Sequence, residues 1–124
     1  MQSILLIMWR DAVAQGLLME LKKEPDTYPY YETDYMQADT IIRNYNAKAV
    51  LLEATEKGAY DTLYCLAVCT RLKKEMSNCR LLLMCPERDD EAINQAIKAK
   101  QNGYIDDFVF YEESLSYIAS MLLL

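Results

Sequence analysis

The sequence predicts a three-layer α/β protein in which a parallel, doubly wound sheet of five strands is covered by helices on both faces. Apolar runs of strand length, continuous rather than alternating, recur along the chain and are typical of strands buried on both sides. Segments with apolar residues at helical spacing separate them, and each crossover takes about 12 to 25 residues. A chain of 124 residues supports a single core, so we expect one domain over residues 1–124.

The central strand is predicted at residues 47–55, which read AKAVLLEAT. Its apolar residues run unbroken into one carboxylate, Glu53. Open α/β sheets keep their functional site just beyond the carboxyl ends of the central strands, so Glu53 is the first candidate site residue.

The remaining strands are predicted at residues 3–9, 27–33, 80–85 and 108–111. Aromatic residues favour a strand at 27–33, and Pro29 predicts that this strand lies at an edge of the sheet.

Five helices are predicted between and after these strands, at residues 11–24, 35–45, 61–75, 89–103 and from 114 to the end. Asp11, Asp61, Ser114 and either Asp89 or Asp90 are the expected N-caps. Gly103 is expected just past the end of the fourth helix. The third helix is apolar on more than one side, which indicates that something besides the sheet covers it, or that it lies against a partner.

The composition excludes several function classes. The net charge is −6 and no basic cluster occurs, which argues against direct nucleic-acid binding. There is no histidine, so histidine general bases, histidine metal ligands and phosphohistidine chemistry are excluded. The apolar run at residues 4–9 is too short for a signal peptide or a membrane span.

The four cysteines form no C-x-x-C pair. Cys65 and Cys69 share one face of the third helix, which suits buried thiols better than a disulfide, with zinc or redox work as the alternative. Unpaired thiols point to a reducing compartment, and we expect a cytoplasmic protein.

The sequence lacks the motifs that are typical of three other doubly wound folds. The turn after the first strand reads MWRDA, without the glycines that a dinucleotide fold needs. Trp9 fills the space where a flavodoxin holds phosphate on small hydroxyl residues, and a P-loop is absent.

The layout resembles a response-regulator receiver domain over essentially the whole chain. The run VLLE leads into Glu53 at the phosphoacceptor position, LLMC into Cys85 at the hydroxyl position, and DDFVF into Tyr111 at the lysine position. The segment GYIDDF at residues 103–108 is similar to the family's approach to its fifth strand, with one extra residue. The resemblance implies a flavodoxin-like sheet of order 2-1-3-4-5 and a role in two-component signalling or a phosphorelay.

The chemistry departs from the family at every one of these positions. Met8 and Trp9 fall where the family carries two acidic magnesium ligands, and neither supplies an oxygen. Glu53 is one methylene longer than aspartate, Tyr111 carries no positive charge, and Cys85 is only a weak donor. We therefore predict a pseudo-receiver with no metal, no cofactor and no catalytic residues.

Two interpretations of Glu53 remain open. Its carboxylate could stand in for a phosphoaspartate and hold one conformation, with Arg10 and the Tyr111 hydroxyl as neutralising partners. Alternatively, it is a half-exposed polar residue at a strand end. Phe108 falls where the family often has a switch aromatic, or it belongs to the core.

Two functions from different classes follow. The first is a non-enzymatic signalling module that acts through protein contacts, either as a homodimer or by controlling an effector domain or protein. Leu115, Ile118 and Leu122 of the last helix are its expected interface. The second is a small-molecule or thiol-redox sensor, with tyrosines 28, 30, 31 and 60 lining a pocket near Trp9 and Cys85 as a reactive thiol.

Overall fold

The computed structural model describes residues 2–124 and contains five strands and five α-helices in strict alternation. The strands are β1 (Gln2–Ile7), β2 (Thr27–Glu32), β3 (Ala49–Glu53), β4 (Arg80–Cys85) and β5 (Asp107–Phe110). The helices are α1 (Asp11–Lys22), α2 (Ala38–Tyr45), α3 (Thr62–Glu75), α4 (Asp90–Gln101) and α5 (Leu115–Leu122), and a 3-10 turn (Tyr35–Gln37) precedes α2.

All strand pairs are parallel, and their order is β2-β1-β3-β4-β5. This confirms the predicted fold class and strand order. Every residue of β3 is buried, as expected of a central strand. None of the helices within residues 2–124 is long and apolar enough to cross a membrane.

The sheet separates two apolar layers. On one face β1, β3 and β4 pack against α1 and α5, through residues such as Leu6, Leu51 and Ile118. On the other face the sheet packs against α2, α3 and α4, and the four cysteines lie in this layer without a disulfide. The wide apolar surface of α3 is covered in part by contacts with α4 and α2 in addition to the sheet.

Pro29 lies on the edge strand β2, as predicted. The carbonyls of Asp26 and Glu32 accept from Gln2 and Met8, so the even-numbered residues of this strand bond to β1. Pro29 therefore has its missing N–H on the free edge, where it interrupts the row of donors that another chain would need for pairing.

The helix starts follow the predicted capping in three of four cases. The side chains of Asp61, Asp89 and Ser114 accept the N–H of the third residue beyond them. Asp11 does not cap: it is the first residue of α1, and its carboxylate lies at the positive end of the helix dipole instead. Gly103 follows the end of α4 with φ +78°, which only glycine adopts without strain.

The predicted interface on the last helix is wrong. Ile118 and Leu122 are buried in the core with α1 and the sheet, and Leu115 is partly buried against Gly16 of α1. The apolar stripe of α5 packs on its own sheet and on α1, so Ile118 and Leu122 present no surface for a partner and Leu115 presents only part of its side chain.

Candidate functional site

Glu53 ends the central strand β3 and is fully buried, so it is not a half-exposed residue at a strand end. One carboxylate oxygen, Oε1, accepts the backbone N–H groups of Trp9 at 3.0 Å and Arg10 at 3.2 Å. The other, Oε2, accepts from Nε of Arg10 in an ion pair. A buried carboxylate is tolerated when it is both paired and hydrogen-bonded, and Glu53 meets both conditions.

Arg10 contributes three contacts at this site. Its Nε bonds to Glu53, its Nη2 donates to the sulfur of Met84 at 3.2 Å, and its guanidinium carbon lies 4.1 Å from the centre of the Tyr111 ring. The planar guanidinium can stack on an aromatic ring while it donates in its own plane, which an ammonium group cannot do as well. The predicted neutralising role of Arg10 is present in the structure.

The predicted hydrogen bond between Tyr111 and the Glu53 carboxylate is wrong. The Tyr111 hydroxyl donates instead to the carbonyl of Ala54, the residue that follows Glu53. Burial, followed by the charge of Glu53, raises the pKa of Tyr111 against a smaller lowering by Arg10, so the hydroxyl is a neutral donor. Tyr111 therefore fixes the backbone after β3 and provides an aromatic face for Arg10.

Tyr35, which the sequence did not single out, holds the same segment from the other layer. Its hydroxyl donates to the Glu53 carbonyl at 2.6 Å, and its ring stacks on Tyr60 with centroids 4.7 Å apart. Burial and then the charge of Glu53 raise the pKa of Tyr35, which keeps the donor proton in place. Two consecutive carbonyls, those of Glu53 and Ala54, thus accept hydrogen bonds from tyrosine hydroxyls.

Met8 and Trp9, predicted at the same position of the fold, separate in the structure. Strand β1 ends at Ile7, Met8 is fully buried in the α1 and α5 layer, and Trp9 is 52% exposed. Neither residue brings an oxygen toward Glu53, whose own two oxygens are occupied. Within residues 2–124 no group of three His, Cys, Asp or Glu side chains converges to hold a metal ion. The residues at this position do not fit the magnesium that the family resemblance implies.

Cys85 is fully buried in the opposite layer from Met8, and Phe108 is partly buried in that same layer. Burial, then the charges of Glu87, Asp89 and Glu113, raises the pKa of Cys85 to about 12. A thiol that is buried and protonated at neutral pH is not reactive, so the redox alternative for this residue is wrong. Phe108 packs edge-to-face on Phe110, with ring centroids 5.7 Å apart.

The predicted tyrosine-lined pocket near Trp9 is also wrong. The groove beside Trp9 is lined by Thr55, Glu56 and Lys57. Tyr30 stacks on Tyr45 with centroids 4.2 Å apart, while Tyr60 packs against Tyr35, so these rings serve the packing of β2, α2 and α3.

Solved structures of known proteins match this fold over almost the whole chain. A LuxR-family DNA-binding response regulator from Staphylococcus aureus matches with a TM-score of 0.77 at 18% identity, covering 99% of this chain and 97% of the other. The signal receiver domain of a DNA-binding response regulator from Colwellia psychrerythraea gives 0.78 at 14% identity, covering 99% and 96%. An orphan response regulator of H. pylori gives 0.76 at 13% identity, covering 96% and 91%. No family model and no curated protein matches the sequence.

Proposed function

The chain has the fold of a response-regulator receiver domain, and from this premise we propose that it is a signalling module that works without phosphorylation. It is not an enzyme in this proposal, and it acts through contacts with an effector or partner protein. The observation that carries the proposal is the state of Glu53. The carboxylate at the acceptor position is fully buried, and both of its oxygens already accept hydrogen bonds.

This arrangement opposes phosphoryl transfer in two ways. An acceptor oxygen must approach the donor phosphorus, and Glu53 has no exposed surface from which to do so. The transferred group also needs cations that neutralise developing charge, and Arg10, the cation that contacts Glu53 within residues 2–124, is already paired with the carboxylate.

The same contacts support a single fixed conformation for the carboxyl edge of the sheet. Glu53 ties the loop after β1 to the end of β3 through two backbone N–H groups and one guanidinium. Arg10 extends the connection to Met84 of β4 and to Tyr111 after β5. In this proposal the buried carboxylate and Arg10 hold four neighbouring segments in one conformation, so no change of conformation on phosphorylation is needed.

The direct test is incubation with acetyl phosphate and Mg²⁺, followed by intact mass measurement. A receiver domain that accepts phosphate is treated in parallel as the positive control. We expect no added phosphoryl group on this chain or on Glu53→Asp, because shortening the side chain leaves Arg10 and the missing magnesium ligands unchanged. A phosphoryl group on the wild-type chain would refute the proposal.

A second test concerns the fixed conformation. Glu53→Gln keeps an oxygen for the two backbone donors but loses the charge that holds Arg10. We expect faster amide hydrogen exchange in residues 54–60 and in the loop after β4, measured by mass spectrometry. The matched control is Glu56→Gln, an exposed carboxylate three positions away, which should leave exchange unchanged. Equal exchange in the two variants would remove the role assigned to Glu53.

A homodimer stays a prediction, but it cannot use the buried face of α5. The exposed side of that helix carries Tyr117 and Ser120, and Leu124 lies beyond its end. Sedimentation velocity over a range of micromolar concentrations tests it, and a constant monomer mass would reject it.

A further inference from the structure

Trp9 is the only tryptophan of the chain, and more than half of its surface is exposed. It borders a groove of about 540 Å³ that is otherwise lined by Thr55, Glu56 and Lys57. The backbone N–H of Trp9 is bonded to the buried Glu53 carboxylate at 3.0 Å, so the ring is displayed from a fixed point of the backbone. The backbone of Trp9 is therefore already ordered before a partner binds, and tryptophan is enriched among the residues that dominate protein interfaces.

A second cleft of about 280 Å³ adjoins this groove, and Glu56 lines both. The charged residues that also line the second cleft are Glu87, Glu112, Arg10 and Arg88. Oε2 of Glu87 is buried and has no hydrogen-bond partner among residues 2–124. A buried carboxylate oxygen without a donor is unfavourable, and a cationic group entering the cleft would supply one.

Glu56, Glu87 and Glu112 line the smaller cleft together with two arginines, and one of these, Arg10, is already paired with Glu53, so the smaller cleft keeps a net negative charge. Helices start at this edge of the sheet, and their first turns carry Asp11 in α1 and Asp90 in α4. The last turns of the same helices, at the opposite edge, carry lysines such as Lys22 and Lys98. The acidic edge is therefore complementary to a basic ligand, and the separation of charge along the strand direction would orient such a ligand before contact.

We propose that the two adjoining clefts bind a basic segment of a partner protein that carries one large apolar side chain. The apolar side chain packs on Trp9 in the larger groove, and a lysine or arginine enters the smaller cleft toward Glu87 and Glu112. This inference rests on the proposed function, since it names the partner chemistry of a module that works through contacts. A second copy of the chain is the less favoured occupant, because joining its lysine-rich edge to this acidic edge would be head-to-tail and would give a ring or a filament rather than a two-fold dimer.

The first experiment uses a fluorescein-labelled synthetic peptide of lysine and serine with one central phenylalanine, and fluorescence anisotropy measures its binding to the full chain. We expect saturable binding that also changes the Trp9 emission and weakens with added salt. Replacing the phenylalanine by alanine should weaken binding about tenfold. Replacing the lysines by glutamates should abolish it. Failure of the phenylalanine peptide to bind, or equal binding of the alanine peptide, would overturn the proposal.

Variants of the protein separate this site from general attraction to an acidic chain. Trp9→Ala should weaken binding about tenfold, whereas Met19→Ala, which removes another exposed apolar side chain, should not. Circular dichroism checks that each variant folds, and Trp9→Phe should restore most of the affinity. Loss of affinity in Met19→Ala as large as in Trp9→Ala would contradict the assignment.

A charge-matched pair tests the acidic side. The double variant Glu56→Lys with Glu112→Lys should lower the affinity for the peptide at least about fivefold. Glu20→Lys with Glu24→Lys gives the same net charge at the opposite edge and should change affinity less than about twofold. Equal effects would mean that the peptide senses only net charge, and the proposal would be rejected. Self-association that Trp9→Ala abolishes would assign the clefts to a second copy and would also reject it.

The result of the peptide-binding experiment is independent of the result of the acetyl phosphate experiment. Peptide binding can fail while the chain still takes up no phosphate, which would remove this inference and leave the proposed function in place. Phosphorylation of Glu53 would remove the proposed function whatever the peptide does.

Discussion

Removing Arg10 tests the central energetic argument, which is that Glu53 is stable in the core only because it is paired. In Arg10→Met the carboxylate keeps its two backbone donors but loses the guanidinium and the contact with the Tyr111 ring. Breaking a buried pair from one side usually costs about 3–5 kcal/mol. The Arg10 side chain is 25% exposed, so water reaches part of the pair, and we expect a loss of about 2–4 kcal/mol.

Urea unfolding followed by circular dichroism measures this loss. With an m-value of about 1.5 kcal/mol per molar, the midpoint should fall by about 1.3–2.7 M. The double variant Arg10→Met with Glu53→Gln removes the unpaired charge, and the amide oxygen of the introduced glutamine can still accept the two backbone donors. We expect its loss to be about 1–2 kcal/mol smaller than the sum of the two single losses.

Arg88→Met is the matched control for this prediction. Arg88 is an exposed arginine at the same edge of the sheet, and it forms no ion pair within residues 2–124. Its replacement should change the unfolding free energy by less than about 0.5 kcal/mol. The pairing argument is refuted if Arg10→Met lowers the unfolding free energy no more than Arg88→Met does. It is also refuted if the loss in the double variant equals the sum of the two single losses.

Three further predictions concern the thiols and the helix ends. Burial raises the pKa of Cys85 to about 12 and that of Cys79 to about 11. Both thiols stay protonated in the folded protein while they ionise near pH 9 once unfolded, so stability is intact below pH 9 and falls by up to about 1.4 kcal/mol per pH unit per thiol between pH 9 and 11. Urea unfolding at several pH values measures the slope, and Cys85→Ala should make it shallower. Asp61→Ala removes the cap of α3 and should lose about 1 kcal/mol of unfolding free energy, whereas Glu56→Ala, as an exposed control, should not. Gly103→Ala places a side chain at φ +78° and should lower the unfolding free energy by about 1 kcal/mol, and an unchanged urea midpoint would contradict the left-handed conformation.

Several functional expectations failed for a common reason, which is that sequence spacing does not say how deeply a side chain is buried. Leu122 looked like part of an interface near the chain end, but the stripe to which it belongs meets α1 and the sheet. Cys85 looked like a thiol at a strand end, but the last residue of β4 is still inside the core. In both cases local pattern identified an apolar face, and only the neighbouring elements decided what covers it.

At the Glu53 site, too, the local sequence predicted some features and only the packing of distant segments decided the others. Its position at the end of a central strand followed from an unbroken apolar run, and Arg10 could be named because it follows the first strand. The donors at Oε1 could not be named, since they are backbone groups of a turn 43 and 44 residues away whose direction depends on the end of β1. Met84 and Tyr35 likewise reach the site from β4 and from the turn after β2, and no local signal marks them.

The sequence by itself determined the alternation of strands and helices, the order of the sheet through its family resemblance, most helix caps and the absence of acidic residues at the end of the first strand. These features depend on residue type and on spacing within one element, where apolar period, side-chain oxygens and backbone φ act locally. The tertiary structure alone decided that both oxygens of the Glu53 carboxylate accept hydrogen bonds, that Tyr111 bonds to a carbonyl rather than to Glu53, and that Trp9 is exposed beside a groove lined by Thr55, Glu56 and Lys57. Those outcomes depend on distances between segments far apart in the chain, which are fixed only when the two layers pack on the sheet.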